Sequence, residues 1–165
     1  MQRPWAFLLV VVTGLVLDQI SKILALRAIA EGQSLPLIPD VLHFTHGRNT
    51  GAAFSLFSGH PGAILVLTAA AVVALTFWWW KTRATASTGL LWALALILVG
   101  AVGNLIDRVA LGYVRDFIDV RPELPVVGHW AVFNVADMCI CVGVGLYLIG
   151  EWRRKPAAGE TTTTP

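Results

Sequence analysis

Among the acids in or beside the apolar stretches, Asp116 and Asp137 are the two least accounted for by a basic partner on their own strand or helix face. Read as a strand of period two, residues 113–121 put Tyr113, Arg115, Phe117, Asp119 and Arg121 on one face. Val114, Asp116, Ile118 and Val120 share the other. Asp119 then lies between two arginines as a solvated acid, while Asp116 stands among β-branched apolar residues. A pair with Arg108, or a place in a turn, is the plainer account of Asp116. Asp137 falls at i+3 from Asn134, on one helical face, about two turns or roughly 10 Å beyond Trp130, with no basic residue within a turn. A carboxylate so placed keeps its proton or finds a partner elsewhere in the fold. Two such groups brought together do not readily both ionise: one retains a proton while the other acts as base, and the two titrate as a unit. That pairing suits peptide hydrolysis by activated water, one acid taking a proton from water and the other donating to the carbonyl oxygen.

Three more polar groups interrupt otherwise apolar stretches, where ionisable residues are costly and commonly functional. Asp18 and Lys22, at i and i+4, can pair on one helical face, which suggests mutual neutralisation in support of a site more than direct chemistry. Gly100, Asn104 and Asp107 fall at i, i+4 and i+7 and line one face, with Arg108 beside Asp107. The glycines there admit a neighbouring helix. This group reads equally as a helix-end polar network or as the shaping of a site. Asn134 accompanies Asp137 in the third. Cys139 and Cys141, at i and i+2, point to different faces and read as small buried hydrophobes with free thiols. The histidines between residues 31 and 60 lack convergent spacing with the two aspartates, so no metal or cofactor is expected.

The elements that must position these residues follow from composition. Hydrophobic residues make up 56% of the 165 residues and charged ones only 13%, too few to solvate an ordinary soluble surface. The net charge of +2 is scattered, which speaks against nucleic acid as a partner. Four apolar stretches approach the length that crosses a bilayer, at about 5–26, 62–80, 88–105 and 130–152, with tryptophans near their ends. Together they make one polytopic membrane domain over residues 1–155, an all-α membrane protein with four transmembrane helices, followed by a disordered tail over 156–165. Ala28-Ile29-Ala30 resembles a signal-peptide cleavage site, but Asp18, Lys22 and Arg27 precede it, so the first stretch is expected to be a retained anchor.

Four spans bring both termini to one side. The basic residues divide evenly between the two sides: Arg3, Lys81, Arg83, Arg153, Arg154 and Lys155 against Lys22, Arg27, Arg48, Arg108, Arg115 and Arg121. The terminal-side segments are much shorter and therefore denser in charge, which puts both termini in the cytoplasm. Residues 28–61 and 106–129 then face outward. Val41 to Thr45 and Tyr113 to Val120 have strand composition, Pro36 and Pro39 break the chain before the first, and Asn49-Thr50-Gly51 follows as a turn. A small extracytoplasmic β-sheet on the outer helix ends is expected, with the Pro36–Pro39 region as a mobile lid.

In order along the chain stand Asp18-Gln19-Ile20-Ser21-Lys22, Asn49-Thr50-Gly51-Ala52-Ala53-Phe54, Gly103-Asn104-Leu105-Ile106-Asp107-Arg108, Val114-Arg115-Asp116-Phe117-Ile118-Asp119 and Phe133-Asn134-Val135-Ala136-Asp137. In these five blocks the chain resembles the lipoprotein signal peptidase family, also called signal peptidase II. The resemblance implies an inner-membrane aspartyl endopeptidase of four helices. Its substrate would be a diacylglyceryl-modified bacterial prolipoprotein, cut just before the lipidated cysteine. It implies Asp116 and Asp137 as catalytic. Asn49, Asn104, Arg108 and Asn134 would bind substrate or hold the pair, with Asp18 and Lys22 in support. Signal helix and acyl chains could both arrive sideways through membrane lipid, and no oligomer is required.

A small proton-coupled transporter or channel is the competing class, with Asp18, Asp107 and Asp137 as a relay. No duplicated half or broken pair of spans supports it. Intramembrane aspartyl proteases marked by Gly-x-Gly-Asp are a further alternative, and that motif is absent here.

Overall fold

The computed structural model describes residues 4–51, 60–121 and 131–153. Apolar runs with no proline beyond the first position form helices α1 (Pro4–Ala28), α2 (Pro61–Thr82), α3 (Thr88–Leu111) and α4 (Val135–Trp152). All four are long and apolar enough to cross a membrane. Pro61 opens α2 at a position where the missing N–H costs nothing. Ser87 caps α3 by accepting the Leu90 N–H at 3.2 Å. Gly112 ends α3 in the left-handed conformation, φ 81°, returning its N–H to the Arg108 carbonyl.

Three strands, β1 (Ser34–Ile38), β2 (Leu42–Asn49) and β3 (Val114–Val120), form an antiparallel sheet in the order β1-β2-β3. Leu42 faces Val120 and Asn49 faces Val114, so β2 delivers Asn49 to the start of β3. The expected break at Pro36 is instead the edge strand β1, paired with His43 of β2. Proline is tolerated there because an edge strand need donate on only one side. Within the Pro36–Pro39 region expected as a lid, residues 36–38 lie in this hydrogen-bonded strand and Pro39 begins the turn to β2.

Two span limits also change. α3 runs six residues past the expected end at 105, to Leu111, and carries Asn104, Asp107 and Arg108 on regular helix. α4 begins at Val135; Trp130, the tail over 156–165 and Ala52-Ala53-Phe54 lie outside the described residues.

Helix α3 is the centre of the bundle. Phe7 of α1 joins Leu94, Ala95 and Leu98 of α3 in a buried cluster, with Val72, Leu75 and Trp79 of α2 against it. Gly100 lets α4 come so close that an added Cβ would collide with the Ala136 carbonyl oxygen and Ile140. Gly143 does the same against Ile97 and the Ala93 carbonyl from the α4 side. The outward faces remain apolar: Val66 and Val73 on α2 are 67% and 68% exposed, as lipid contact demands. Phe7 stacks on Trp79, and Trp78 meets the edge of Tyr147. The start of α1 and the ends of α2 and α4 thus share one end of the bundle, and the sheet sits at the other.

Candidate active site

The sheet end of the bundle concentrates buried polar residues: Asp18 and Lys22 from α1, Asn104 and Asp107 from α3, Asp116 and Asp119 from β3, and Asn134 at the head of α4. Asn134 precedes the first turn of α4 in extended conformation, and its Oδ1 accepts the Asp137 N–H at 3.0 Å. The Asp137 carboxylate accepts the Asn134 N–H at 3.2 Å in return. This reciprocal cap satisfies two of the donors that every helix start leaves open. Asp137 is therefore in the first turn of α4, not two turns inside a span. The local cap, rather than the onset of apolar sequence, decides where the helix begins.

Asn134 also reaches the other acid. Its Nδ2 donates to Asp116 Oδ1 at 2.6 Å and to Asn104 Oδ1 at 3.2 Å. Asn104 Nδ2 donates to Asp137 Oδ1 at 2.7 Å. A closed ring results, Asn134 to Asn104 to Asp137 and back, with Asp116 attached through Asn134. The structure thus brings together residues from α3, β3 and α4 that the sequence holds far apart.

Asp116 is 2% exposed. Burial, and then the neighbouring Asp137 carboxylate, push its pKa up to about 7 from the ordinary 3.8, against hydrogen bonds from Asn49 and Asn134 and the more distant Lys22 charge. Asn49 sits where it was expected, with its Oδ1 turned to the Gly51 N–H at 2.9 Å in the predicted turn. Arg108 does not ion-pair with Asp116. Its guanidinium spans the Asn104 and Gly51 carbonyls at 3.4 and 2.9 Å. It borders a recess of about 140 Å³ lined also by Thr50, Pro61, Gly62, Leu65 and Gly112. A larger recess of about 250 Å³ between Phe7 and Trp92, at the other end of the bundle, has no titratable lining residue and so offers no chemistry.

The second acidic pair has a different setting. Lys22 Nζ lies 2.9 Å from Asp18 and 3.4 Å from Asp107, all three fully buried. Asp107 also takes the Arg115 backbone N–H at 2.9 Å and the guanidinium through Nε at 3.1 Å and Nη2 at 2.5 Å. Gln19 links the group, donating to Asp18, Asp107 and the Gly103 carbonyl and accepting from Arg115 at 2.7 Å. Asp18 further accepts the Ala136 N–H at 3.0 Å, closing α1 onto the head of α4. The partner of Asp107 is thus Arg115, not the adjacent Arg108, whose side chain leaves the helix in another direction. Sequence reasoning missed Gln19 and Arg115 as site residues. Gln19 stood inside a quoted block, but its partners lie 84 and 88 residues away.

Asp119 is also corrected: it is 1% exposed rather than solvated. Arg121 clasps it at 2.6 Å, and Thr45 of β2 donates to it at 2.7 Å. Neighbouring strands cover a residue that a single-strand reading left open to water. Arg115, its other expected arginine, is committed to Asp107. Asp18 and Asp107, proposed relay members in the transporter reading, are both ion-paired to the buried Lys22. Among the described residues, no group of three or more His, Cys, Asp or Glu side chains is arranged to hold a metal ion.

Comparison with known proteins points the same way. A family model described as "Signal peptidase (SPase) II" matches residues 10–153. The lipoprotein signal peptidase of Geobacter metallireducens is 46% identical over 155 residues, covering 90% of this chain and 93% of that protein. That of Halothermothrix orenii is 36% identical over 151 residues, covering 89% and 95%. A solved bacterial membrane enzyme superposes with a TM-score of 0.82 at 30% identity, over 96% of this chain and 94% of the other.

Proposed function

Since the chain belongs to the signal peptidase II family, we propose that Asp116 and Asp137 are the catalytic pair with which it cuts signal peptides from lipoprotein precursors. The observation that carries this reading is the double grip of Asn134, which caps α4 through Asp137 and donates to Asp116 with the same side chain.

With the Asp116 pKa raised to about 7, the pair can share one proton near neutral pH, and in the proposed reaction that proton starts on Asp116. Asp137 then acts as base. It removes a proton from water as the water oxygen attacks the scissile carbonyl carbon. Asp116 gives its proton to the carbonyl oxygen, and a tetrahedral diol forms. Collapse restores the carbonyl, breaks the C–N bond and sends a proton from Asp137 to the departing amine; the second diol proton returns to Asp116. The amides of Asn49, Asn104 and Asn134 keep both carboxylates in place throughout. Arg108, beside its recess, is suited to a substrate carbonyl or ester oxygen.

The substrate is a prolipoprotein already carrying diacylglycerol on the cysteine that follows the cut. Acyl chains and signal helix are both apolar and can approach through lipid, against the exposed apolar faces of the bundle. The enzyme is placed in the bacterial cytoplasmic membrane with both termini in the cytoplasm and the pair near the outer surface. The higher basic density of the short terminal-side segments supports that orientation.

The test is cleavage of a diacylglyceryl-modified prolipoprotein by purified protein in detergent, followed by gel shift. Wild type should cut, and folded Asp116→Asn and Asp137→Asn should each lose about 10³-fold or more in rate. Substantial cleavage by either variant would remove that aspartate from catalysis.

A further inference from the structure

Every amide in the ring around the pair can be reversed end for end at almost no steric cost, and reversal would invert its hydrogen bonding. Each therefore needs a neighbour that cannot reverse. For Asn134 that neighbour is the Asp137 backbone N–H, which only donates and so draws Oδ1 toward it. For Asn104 it is Lys22. An ammonium has three donors and no acceptor, and Lys22 Nζ lies 3.0 Å from Asn104 Oδ1. With Oδ1 held there, Nδ2 has only one direction left, toward Asp137 Oδ1 at 2.7 Å. The reversed amide would set oxygen against the Asp137 carboxylate, and NH2 against both Lys22 and the Asn134 NH2 group.

We infer that Lys22 is a positioning residue for the reaction, fixing the Asn104 amide so that it donates to Asp137. This rests on the reading of Asp116 and Asp137 as the catalytic pair. It assigns Lys22 more than charge neutralisation: of its contacts, Asp18 and Asp107 hold the ammonium in place, and the Asn104 carbonyl transmits its direction. The Asn134 NH2 group shares the task, so loss of Lys22 weakens the orientation without erasing it.

A double-mutant cycle on purified enzyme tests this, with cleavage of the lipidated precursor as readout. Lys22→Met should lower kcat about tenfold or more, as expected when a hydrogen bond to a charged group is lost, with KM changed less than about twofold. In an Asn104→Leu background the same substitution should change kcat by less than about twofold, because nothing remains to orient. An equal loss in both backgrounds would overturn the inference and leave Lys22 as a structural counter-ion. If Lys22→Met does not fold, the cycle is run with Asp18→Asn in all four proteins, which lowers the buried charge that Lys22 offsets, and the same two outcomes decide. Cleavage by Asp116→Asn or Asp137→Asn would instead defeat the reading beneath it, a result distinct from an additive cycle.

Discussion

Two pairs of aspartates lie at the sheet end of this bundle, and their surroundings differ in kind. Asp18 and Asp107 are matched with two cations, Lys22 and Arg115, and with Gln19. Asp116 and Asp137 meet amide donors from Asn49, Asn104 and Asn134, and among the described residues no cation lies within ion-pair distance of either. A carboxylate facing a cation has its charge neutralised and is fixed in that state. One facing neutral donors is held in position but can still gain or lose a proton. The first pair fastens α1, α3, β3 and α4 to one another; the second, on our proposal, does the chemistry. Residue type does not separate them, since all four are aspartates; Asp18, Asp107 and Asp116 are buried and Asp137 is partly buried.

The comparison is broken or sharpened by exchanging what each pair does. The largest effect is the loss of cleavage expected for Asp116→Asn and Asp137→Asn, with folding retained. Asp107→Asn should do the reverse, leaving Lys22 and Arg115 short of a buried anion and costing about 3–5 kcal/mol of stability. Thermal unfolding in detergent would read this, and an unchanged transition would make the cationic pair dispensable.

Next comes the contact that brings α4 onto α3. Gly100→Ala should lose about 1–3 kcal/mol, because the added methyl meets the Ala136 carbonyl on a helix that cannot easily retreat. Gly145, with nothing within 4 Å of an added Cβ, should accept alanine without loss. Comparing the two melting temperatures separates close approach from mere helix propensity.

A further contrast is the effect of pH on Asp116. Its carboxyl stays protonated in the fold to about pH 7, whereas the unfolded group ionises near 3.8. The folded state holds the extra proton across that window, so this residue's contribution to stability falls as pH rises through it and levels off above. Asp116→Asn removes the penalty. The variant should melt a few degrees above wild type at pH 8 and show little difference near pH 4. Wild-type cleavage should decline above about pH 7 as the proton needed for the carbonyl oxygen is lost. A rate that keeps rising to pH 9 would argue against Asp116 as the acid.

Much of this was legible in the chain because the signals are local. Apolar runs long enough to cross a bilayer declare themselves by length, and the sequence placed all four helices. The i, i+4 spacing of Asp18 and Lys22 predicted their ion pair, and the i, i+4, i+7 face of Gly100, Asn104 and Asp107 is buried as a unit. The lack of a basic partner on the same strand or helix face marked Asp116 and Asp137 as different from the other clustered acids. Asn134 at i−3 from Asp137 even contained the cap, although the apolar count started the helix too early.

What tertiary structure alone decided is which distant residue answers each local gap. Arg115 could turn to Asp119 or to Asp107, and only the packing of α3 against β3 selects Asp107. Asp119 has an arginine nearby in sequence, but its burial depends on Thr45, 74 residues away. Pro36 reads as a break until β2 offers it an edge to lie along. The amide ring joins Lys22, Asn104 and Asn134 across separations of 82 and 30 residues. Local spacing fixes where a side chain points on its own helix or strand. The partner it meets depends on how those elements approach one another, set here by glycines at the α3–α4 crossing and by hydrogen bonds that exist only once the helices are together.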